Sequence, residues 1–328
     1  MQYLSNKGLT GWAQIGLILL LTGVGLIIGG IVQMAMAFAM LPEGTSLLSL
    51  TDELLKAMKN PQNVSLLRWM QFISTFLLFF VPAYIFSRVA NGKEWIWMGF
   101  SKYINLHQVM LGFLIIFTAN MLGSPLQQLS EMIVSFSPSL KQAALHMEQL
   151  YNDQVLAMAH ISGSGEFILV LIIMAFFPAL FEELFFRGIL QNVLVKWWKQ
   201  PLLAIIITSL LFSLIHASIY LFLTRALLGF VLGWMYFKTR NLWVNIVAHF
   251  INNALAATQM FVMSQKGEKI DVSKMDMPVE WWQALIAAGV LYFLFHLLEK
   301  YSSVNRMRII NCEEAMKVNY PQGQPLAD

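Results

Sequence analysis

The chain has 328 residues, of which 58% are hydrophobic and 12% charged, with a formal net charge of +3. An ordinary soluble domain carries about 25% charged residues, so this composition leaves too little polar cover for a water-soluble globule of this size. It excludes a single soluble core and gives no support to nucleic-acid binding; the apolar residues are expected to face lipid.

Crossing the hydrocarbon core takes roughly 20 apolar residues at about 1.5 Å rise each. Eight stretches qualify in chain order: residues 12–40, 69–87, 109–122, 167–195, 202–220, 221–237, 242–262 and 281–298. The third is short and interrupted by Asn120, and the fourth is long enough to protrude into the headgroups. The expected fold is all-α, a polytopic membrane protein with about eight transmembrane helices. The first stretch is too long for a signal-peptide h-region and reads as a retained anchor. Residues 1–164 supply the first helices and their loops, 165–258 a polar-centred core, and 259–328 a loop, the last span and a tail.

Basic residues set the expected orientation. With the N-terminus inside and eight alternating spans, 13 of the 21 Lys and Arg residues fall inside. They are Lys7, Arg88, Lys93, Lys102, Arg187, Lys196, Lys199, Lys238, Arg240, Lys300, Arg306, Arg308 and Lys317. Most acids fall outside, among them Glu43, Asp52, Glu53, Glu131, Glu148, Asp153, Glu166, Asp271 and Asp276. That bias predicts an N-in, C-in topology. The one cysteine, Cys312, rules out an intramolecular disulfide and falls in the expected cytoplasmic tail.

Two outer loops carry helical patterns. Residues 45–59 alternate leucines with polar residues, and 126–160 do so with a break near Ser137 and Pro138. Both suit interfacial or simple connecting helices. Gly25-x-x-x-Gly29 and Gly229-x-x-x-Gly233 allow close backbone approach and are read as packing within one bundle. Trp95, Trp97, Trp281 and Trp282 suit membrane-interface anchors.

The functional signal lies in polar groups that a span would normally exclude. A charge in a membrane helix costs at least a few kcal/mol, so it has a partner or a function. Glu182, Glu183, Arg187, His216 and His249 concentrate on three spans, and His296 lies alone on the last. Glu183 and Arg187 are i and i+4 with the acid first, the favourable order for an ion pair. Glu182 is turned by about 100° from it, so one carboxylate is neutralised and the other faces something else. Pro178 removes a backbone hydrogen bond one turn earlier and is expected to kink the helix. Phe212 and His216 share one helical face, and His249 and Asn253 another.

A buried carboxylate can take a proton from water and return it to a leaving amine, while His and Asn donate to an oxyanion. The same groups can instead hold a divalent metal such as zinc, with His216 and His249 as ligands and Glu182 as base. The bland readings are a structural Glu183–Arg187 lock, a packing role for His296, and no role for His107, His146 and His160. Thr208, Ser209 and Ser213 are expected to satisfy helix backbone groups, and Arg225 to reach toward the headgroups.

Glu182-Glu183-x-x-x-Arg187, Phe212-x-x-x-His216 and His249-x-x-x-Asn253, in that order on hydrophobic segments, resemble the CAAX prenyl protease and bacteriocin-processing (CPBP, or ABI) family of intramembrane peptidases. The resemblance covers roughly residues 165–258. It implies a helical membrane fold with a cavity open toward the cytoplasm, Glu182 activating water, and Glu183 and Arg187 supporting it. His216 is then a ligand or water-positioning group, and His249 with Asn253 the oxyanion partner or second ligand group. Family members have been described both as metalloproteases and as metal-free, glutamate-dependent enzymes. The absence of a His-Glu-x-x-His motif favours the second here. The implied substrate is a membrane-associated peptide or protein tail, prenylated in one branch, and the expected location is the bacterial cytoplasmic membrane.

Aspartyl intramembrane proteases fit worse, because no aspartate lies within a span; no rhomboid-like serine segment is evident either. The rivals are a non-catalytic scaffold or immunity protein binding a membrane partner, and a transporter. Hydropathy shows no inverted repeat, which weighs against the transporter.

Overall fold

The computed structural model describes residues 3–46, 48–158, 161, 163–266 and 278–317. Leu47, His160, Asp271 and Asp276, which entered the sequence reading, lie outside the described residues. Helices dominate, and no β-strand is present among the described residues beyond an isolated bridge between Leu4 and Thr10.

Among the described residues, six helices are long and apolar enough to cross a membrane. They are α1 (Gly11–Phe38), α3 (Pro61–Ala90), a third (Leu106–Ser135) that bends at Met121 and Leu122 into α4 (Leu106–Asn120) and α5 (Gly123–Ser135), α7 (Ser164–Trp198), α10 (Leu242–Gln265) and α11 (Trp281–Lys317). Between α7 and α10 lie α8 (Pro201–Leu214) and α9 (Phe222–Thr239), the fifth and sixth expected stretches. Outside this set stand α2 (Leu50–Lys59) and α6 (Pro138–Met158). The protein is an all-α polytopic membrane protein.

Lipid exposure is written on the helices. Leu19, Leu20, Ile27 and Ile31 of α1 are largely uncovered, as are Leu285, Tyr292 and Phe293 of α11. The interior has a core of α7 packed by α1, α3, α8 and α10, with Phe79, Phe86, Phe181, Phe186 and Phe212 fully or nearly buried. A second apolar cluster joins α4, α9, α10 and α11 through Ile115, Met235, Val244 and Leu298.

Both small-residue motifs pack inside the bundle, as the sequence predicted. A Cβ on Gly25 would collide with the Leu77 carbonyl of α3. That carbonyl lies in a π-helical segment, Phe76–Phe80, within α3. Gly229 lies against Ser209 and Phe212 of α8, and Gly233 against Gln191 and Ile205.

Tertiary contacts sort the loops into two ends. At one, Lys7 N donates to Ala90 O, Leu242 N to Gly99 O, and Asn241 Nδ2 to Ser101 O and Tyr103 O. Arg240 pairs with Glu313 of α11, and Trp12 packs on Trp197. This end carries Lys7, Arg88, Lys93, Lys102, Lys196, Lys199, Lys238, Arg240, Lys300, Arg306, Arg308 and Lys317, and is called the basic end below. Arg187, grouped with these by sequence, is instead 1% exposed in the middle of α7.

At the other end Lys59 pairs with Asp153, Arg68 donates to Met158 O, and Ser218 Oγ donates to Glu148. The break expected near Ser137 and Pro138 separates α5 from α6. α6 lies across this end, so it covers the bundle rather than merely joining two spans.

Candidate active site

Helix α7 is not uniform. An α-helical start gives way to a π segment at Leu171–Phe176, then to α-helix Phe177–Glu183, then to a second π segment, Leu184–Gln191. Pro178 cannot donate to the carbonyl of Met174, and the first widening comes directly before it. The distortion expected from Pro178 thus takes the form of a π turn, a feature frequent at functional sites. The two π segments bracket Glu182 and Glu183.

Glu183 is 0% exposed and fully engaged. Arg187 Nη1 donates to its Oε1 at 2.7 Å, His249 Nδ1 lies 2.9 Å from the same oxygen, and Asn245 Nδ2 donates to Oε2 at 3.1 Å. Arg187 is equally enclosed: Nη2 donates to Gly229 O at 2.9 Å, and the guanidinium lies 4.9 Å from the Phe212 ring centre. A buried charge pair of this kind offsets its desolvation only when the remaining donors and acceptors are satisfied, and the surrounding groups do that here.

Glu182, one residue earlier, is 7% exposed, and its Oε2 has no hydrogen-bond partner. Two imidazole nitrogens face that oxygen, His249 Nε2 at 3.8 Å and His216 Nε2 at 3.9 Å. These separations are too long for direct hydrogen bonds and suit a bridging water or a reacting group between them.

The tautomers follow from the partners. His249 Nδ1 faces the Glu183 carboxylate and His216 Nδ1 faces Phe212 O at 2.7 Å. Neither oxygen can donate, so each Nδ1 carries a hydrogen and each ring turns its Nε2 toward Glu182.

His216 sits just past the end of α8, where the chain reverses through residues 215–221. Ala217 holds φ 49°, a left-handed conformation that costs an L-residue about 1–2 kcal/mol. The turn is held by Arg225, whose Nη1 donates to His216 O at 3.0 Å while its guanidinium lies over Tyr151 of α6. Arg225 therefore fastens the site turn instead of reaching for headgroups.

The structure brings Glu182, Glu183, Arg187, His216 and His249 into one cluster. Asn253 is one turn beyond His249 but lies at its edge: Nδ2 reaches Ala175 O at 3.5 Å, and Oδ1 accepts from Asn252 Nδ2 at 3.5 Å. Thr208 and Ser209 return hydroxyl hydrogens to Ala204 O and Ile205 O, as expected, whereas Ser213 donates across the turn to Phe222 O.

Asn245 escaped the sequence reading, yet it donates to both Glu183 and Leu232 O and is 0% exposed. The signal was available: Asn245, His249 and Asn253 recur every four residues on one face of α10.

The donor set fits a metal poorly. Among the described residues no group of three or more His, Cys, Asp or Glu side chains is arranged to hold an ion. Catalytic zinc keeps three protein ligands and a water. Two imidazoles would need Glu182 as the third, and no free carboxylate would remain as base, because Glu183 is committed to Arg187, His249 and Asn245.

Residues 164–255 match the family model described as type II CAAX prenyl endopeptidase Rce1-like, which bears out the resemblance read from the motifs. Uncharacterized protein YpbD of Bacillus subtilis (strain 168) is 34% identical over 94 residues, covering 27% of this chain and 45% of that protein. The protein named "Putative membrane peptidase YdiL", from the same organism, is 29% identical over 85 residues, covering 26% of this chain and 34% of its own length. The matches thus span less than half of either relative. No solved structure matches the chain.

Proposed function

We propose, from a core that matches the type II CAAX prenyl endopeptidase family model, that this chain is an intramembrane endopeptidase using Glu182 as its general base. The substrate is a membrane-associated peptide or protein tail, and the location the bacterial cytoplasmic membrane. One observation carries the reading. Glu182 Oε2 is a buried, unpaired carboxylate oxygen facing two imidazole Nε2 atoms whose tautomers are fixed from behind.

Glu182 takes a proton from a water held between it and the two imidazoles. The water oxygen bonds to the scissile carbonyl carbon. Collapse of the tetrahedral intermediate breaks the C–N bond, and the proton passes from Glu182 to the leaving amine. Glu183 and Arg187 do not touch substrate. Arg187 fixes the Glu183 carboxylate, which holds His249 by its Nδ1; a ring that also carries a hydrogen at Nε2 from the outset donates it as a hydrogen bond to the oxyanion. Asn253, bonded to Ala175 O only at 3.5 Å, supplies a second donor by exchanging that long bond for the oxyanion.

The test is cleavage of a peptide library by purified protein in detergent, comparing the wild type with Glu182→Gln and His249→Ala. Loss of cleavage in both folded variants supports the reading; cleavage that survives Glu182→Gln overturns the assignment of the base.

A further inference from the structure

His249 and His216 face the same Glu182 oxygen, but they are held in unlike ways. His249 lies within α10 with its side chain 6% exposed, and Glu183 grips its Nδ1 from behind. His216 is held on that side by a backbone carbonyl instead, Phe212 O of the preceding turn. Its side chain is 28% exposed, and α8 has already ended at Leu214. The turn at residues 215–221, not helical hydrogen bonding, therefore sets where this imidazole sits.

That turn needs outside support. Ala217 keeps a left-handed φ of 49°, an unfavourable conformation for an L-residue that persists only where surrounding contacts fix it. Two ties stay within the α8–α9 hairpin: Ser213 Oγ donates to Phe222 O at 2.6 Å, and Leu221 N to Ser218 Oγ at 3.2 Å. Two others lead out of it. Arg225 Nη1 donates to His216 O at 3.0 Å, and its guanidinium lies 4.7 Å from the ring centre of Tyr151. Ser218, 4% exposed, donates from Oγ to Glu148 Oε2 at 3.0 Å.

Both outside partners belong to α6. Ala144, Glu148, Tyr151, Val155 and Met158 recur at three- and four-residue steps, which puts them on one helical face. That face is turned to the bundle, while Leu145, Leu150 and Leu156 are exposed. The helix is anchored in turn: Lys59 pairs with Asp153 at 3.1 Å, and Arg68, 2% exposed, donates to Met158 O from two nitrogens at 3.1 and 3.3 Å. Opposite the basic end, α6 is thus a fastened platform beneath which the His216 turn is tied. Residues 148 and 151 fall outside the segment 164–255 that matches the family model.

We propose that Tyr151 and Glu148 of α6 are positioning residues for the reaction: through Arg225 and Ser218 they hold the 215–221 turn where His216 Nε2 stands opposite Glu182. Neither touches the reacting atoms. The catalytic consequence rests on the endopeptidase reading; the placing of His216 does not.

Misplacing a catalytic group by about 1 Å costs up to about 10²-fold in rate. Tyr151→Leu and Glu148→Ala should each lower kcat by roughly 10- to 100-fold with KM little changed. Tyr151→Phe keeps a ring face for the guanidinium, and Glu148→Gln keeps an acceptor for Ser218, so both should retain most of the turnover. Leu150→Ala, on the outward face of α6, is the control and should leave kcat unchanged.

The experiment measures kcat, KM and the unfolding midpoint of these variants in detergent, together with the nitrogen-15 NMR signals of the His216 ring, assigned by their absence in His216→Gln. The expected result is a lower kcat at an unchanged midpoint, a shifted or broadened His216 signal, and recovery in the two conservative variants. Normal kcat in folded Tyr151→Leu and Glu148→Ala overturns the proposal, as does a loss that Tyr151→Phe and Glu148→Gln share. Glu148→Ala alone carries the test if Tyr151→Leu does not fold. Should the wild type cleave no peptide, the NMR signal decides. An unmoved His216 signal in Tyr151→Leu and Glu148→Ala overturns the positioning, and a shifted one sustains it while the endopeptidase reading fails by itself.

Discussion

Glu182 and Glu183 are neighbours in the chain, yet His249 meets them with opposite edges of its ring: Nδ1 lies 2.9 Å from Glu183 Oε1 and Nε2 lies 3.8 Å from Glu182 Oε2. The carboxylate held by Arg187 and Asn245 has no capacity left for chemistry. The other has an oxygen with no partner. Two identical side chains are given different tasks by the helices behind them.

That asymmetry predicts unequal losses. Glu182→Gln keeps the shape and removes the base, so cleavage should fall by roughly 10²–10⁴ or more while the thermal unfolding midpoint in detergent stays near that of the wild type. A variant with near-normal turnover would remove Glu182 from the chemistry.

Arg187→Met should act mainly on stability. It leaves the Glu183 charge buried without its ion-pair partner, a change that costs about 3–5 kcal/mol. The double variant Glu183→Gln with Arg187→Met removes both charges and should recover much of that loss without recovering activity. Denaturation in detergent of the two variants side by side gives the comparison.

Asn245→Leu separates positioning from folding. Removing its amide strips one donor from Glu183 and one from Leu232 O, which should cost about 1–3 kcal/mol. Glu183 would then hold His249 less firmly, so kcat should drop with KM little changed. Equal loss in both parameters, or none, would argue for a packing residue only.

Cleavage should continue in excess EDTA or phenanthroline, because the two imidazoles cannot recruit a third ligand without consuming the base. Chelator inactivation reversed by zinc would show that Glu182 serves as a ligand and that another group takes the proton.

The first helix offers a check on the bundle itself. Gly25→Val would drive a side chain into the Leu77 carbonyl and should destabilise the protein by about 1–3 kcal/mol. At Gly29 the nearest atom to an added Cβ is 4.0 Å away, so Gly29→Ala should change stability by no more than about 0.5 kcal/mol. Unfolding midpoints of the two variants test this directly.

Much of this was written in the linear chain because the membrane simplifies the problem. Lipid can satisfy no backbone group, so long apolar stretches must be helices, and charges inside them stand out against the background. The Glu183–Arg187 pair follows from a four-residue spacing that even a π-helical segment preserves, at 2.7 Å. What sequence spacing could not set was the relation between helices. Asn245 lies 62 residues from Glu183 and reaches it only because α10 packs against α7. Asn253 shares a helical face with His249, but its amide turns to Ala175 O. Arg225, at a helix start, was as free to extend outward as to fold back on His216 until α6 placed Tyr151 beside it. The sequence by itself determined the membrane helices and the local charge pair, because hydropathy and helical periodicity act over neighbouring residues. Only the tertiary structure decided which carboxylate stays unpaired and which groups face it, since both depend on how separate helices pack against one another.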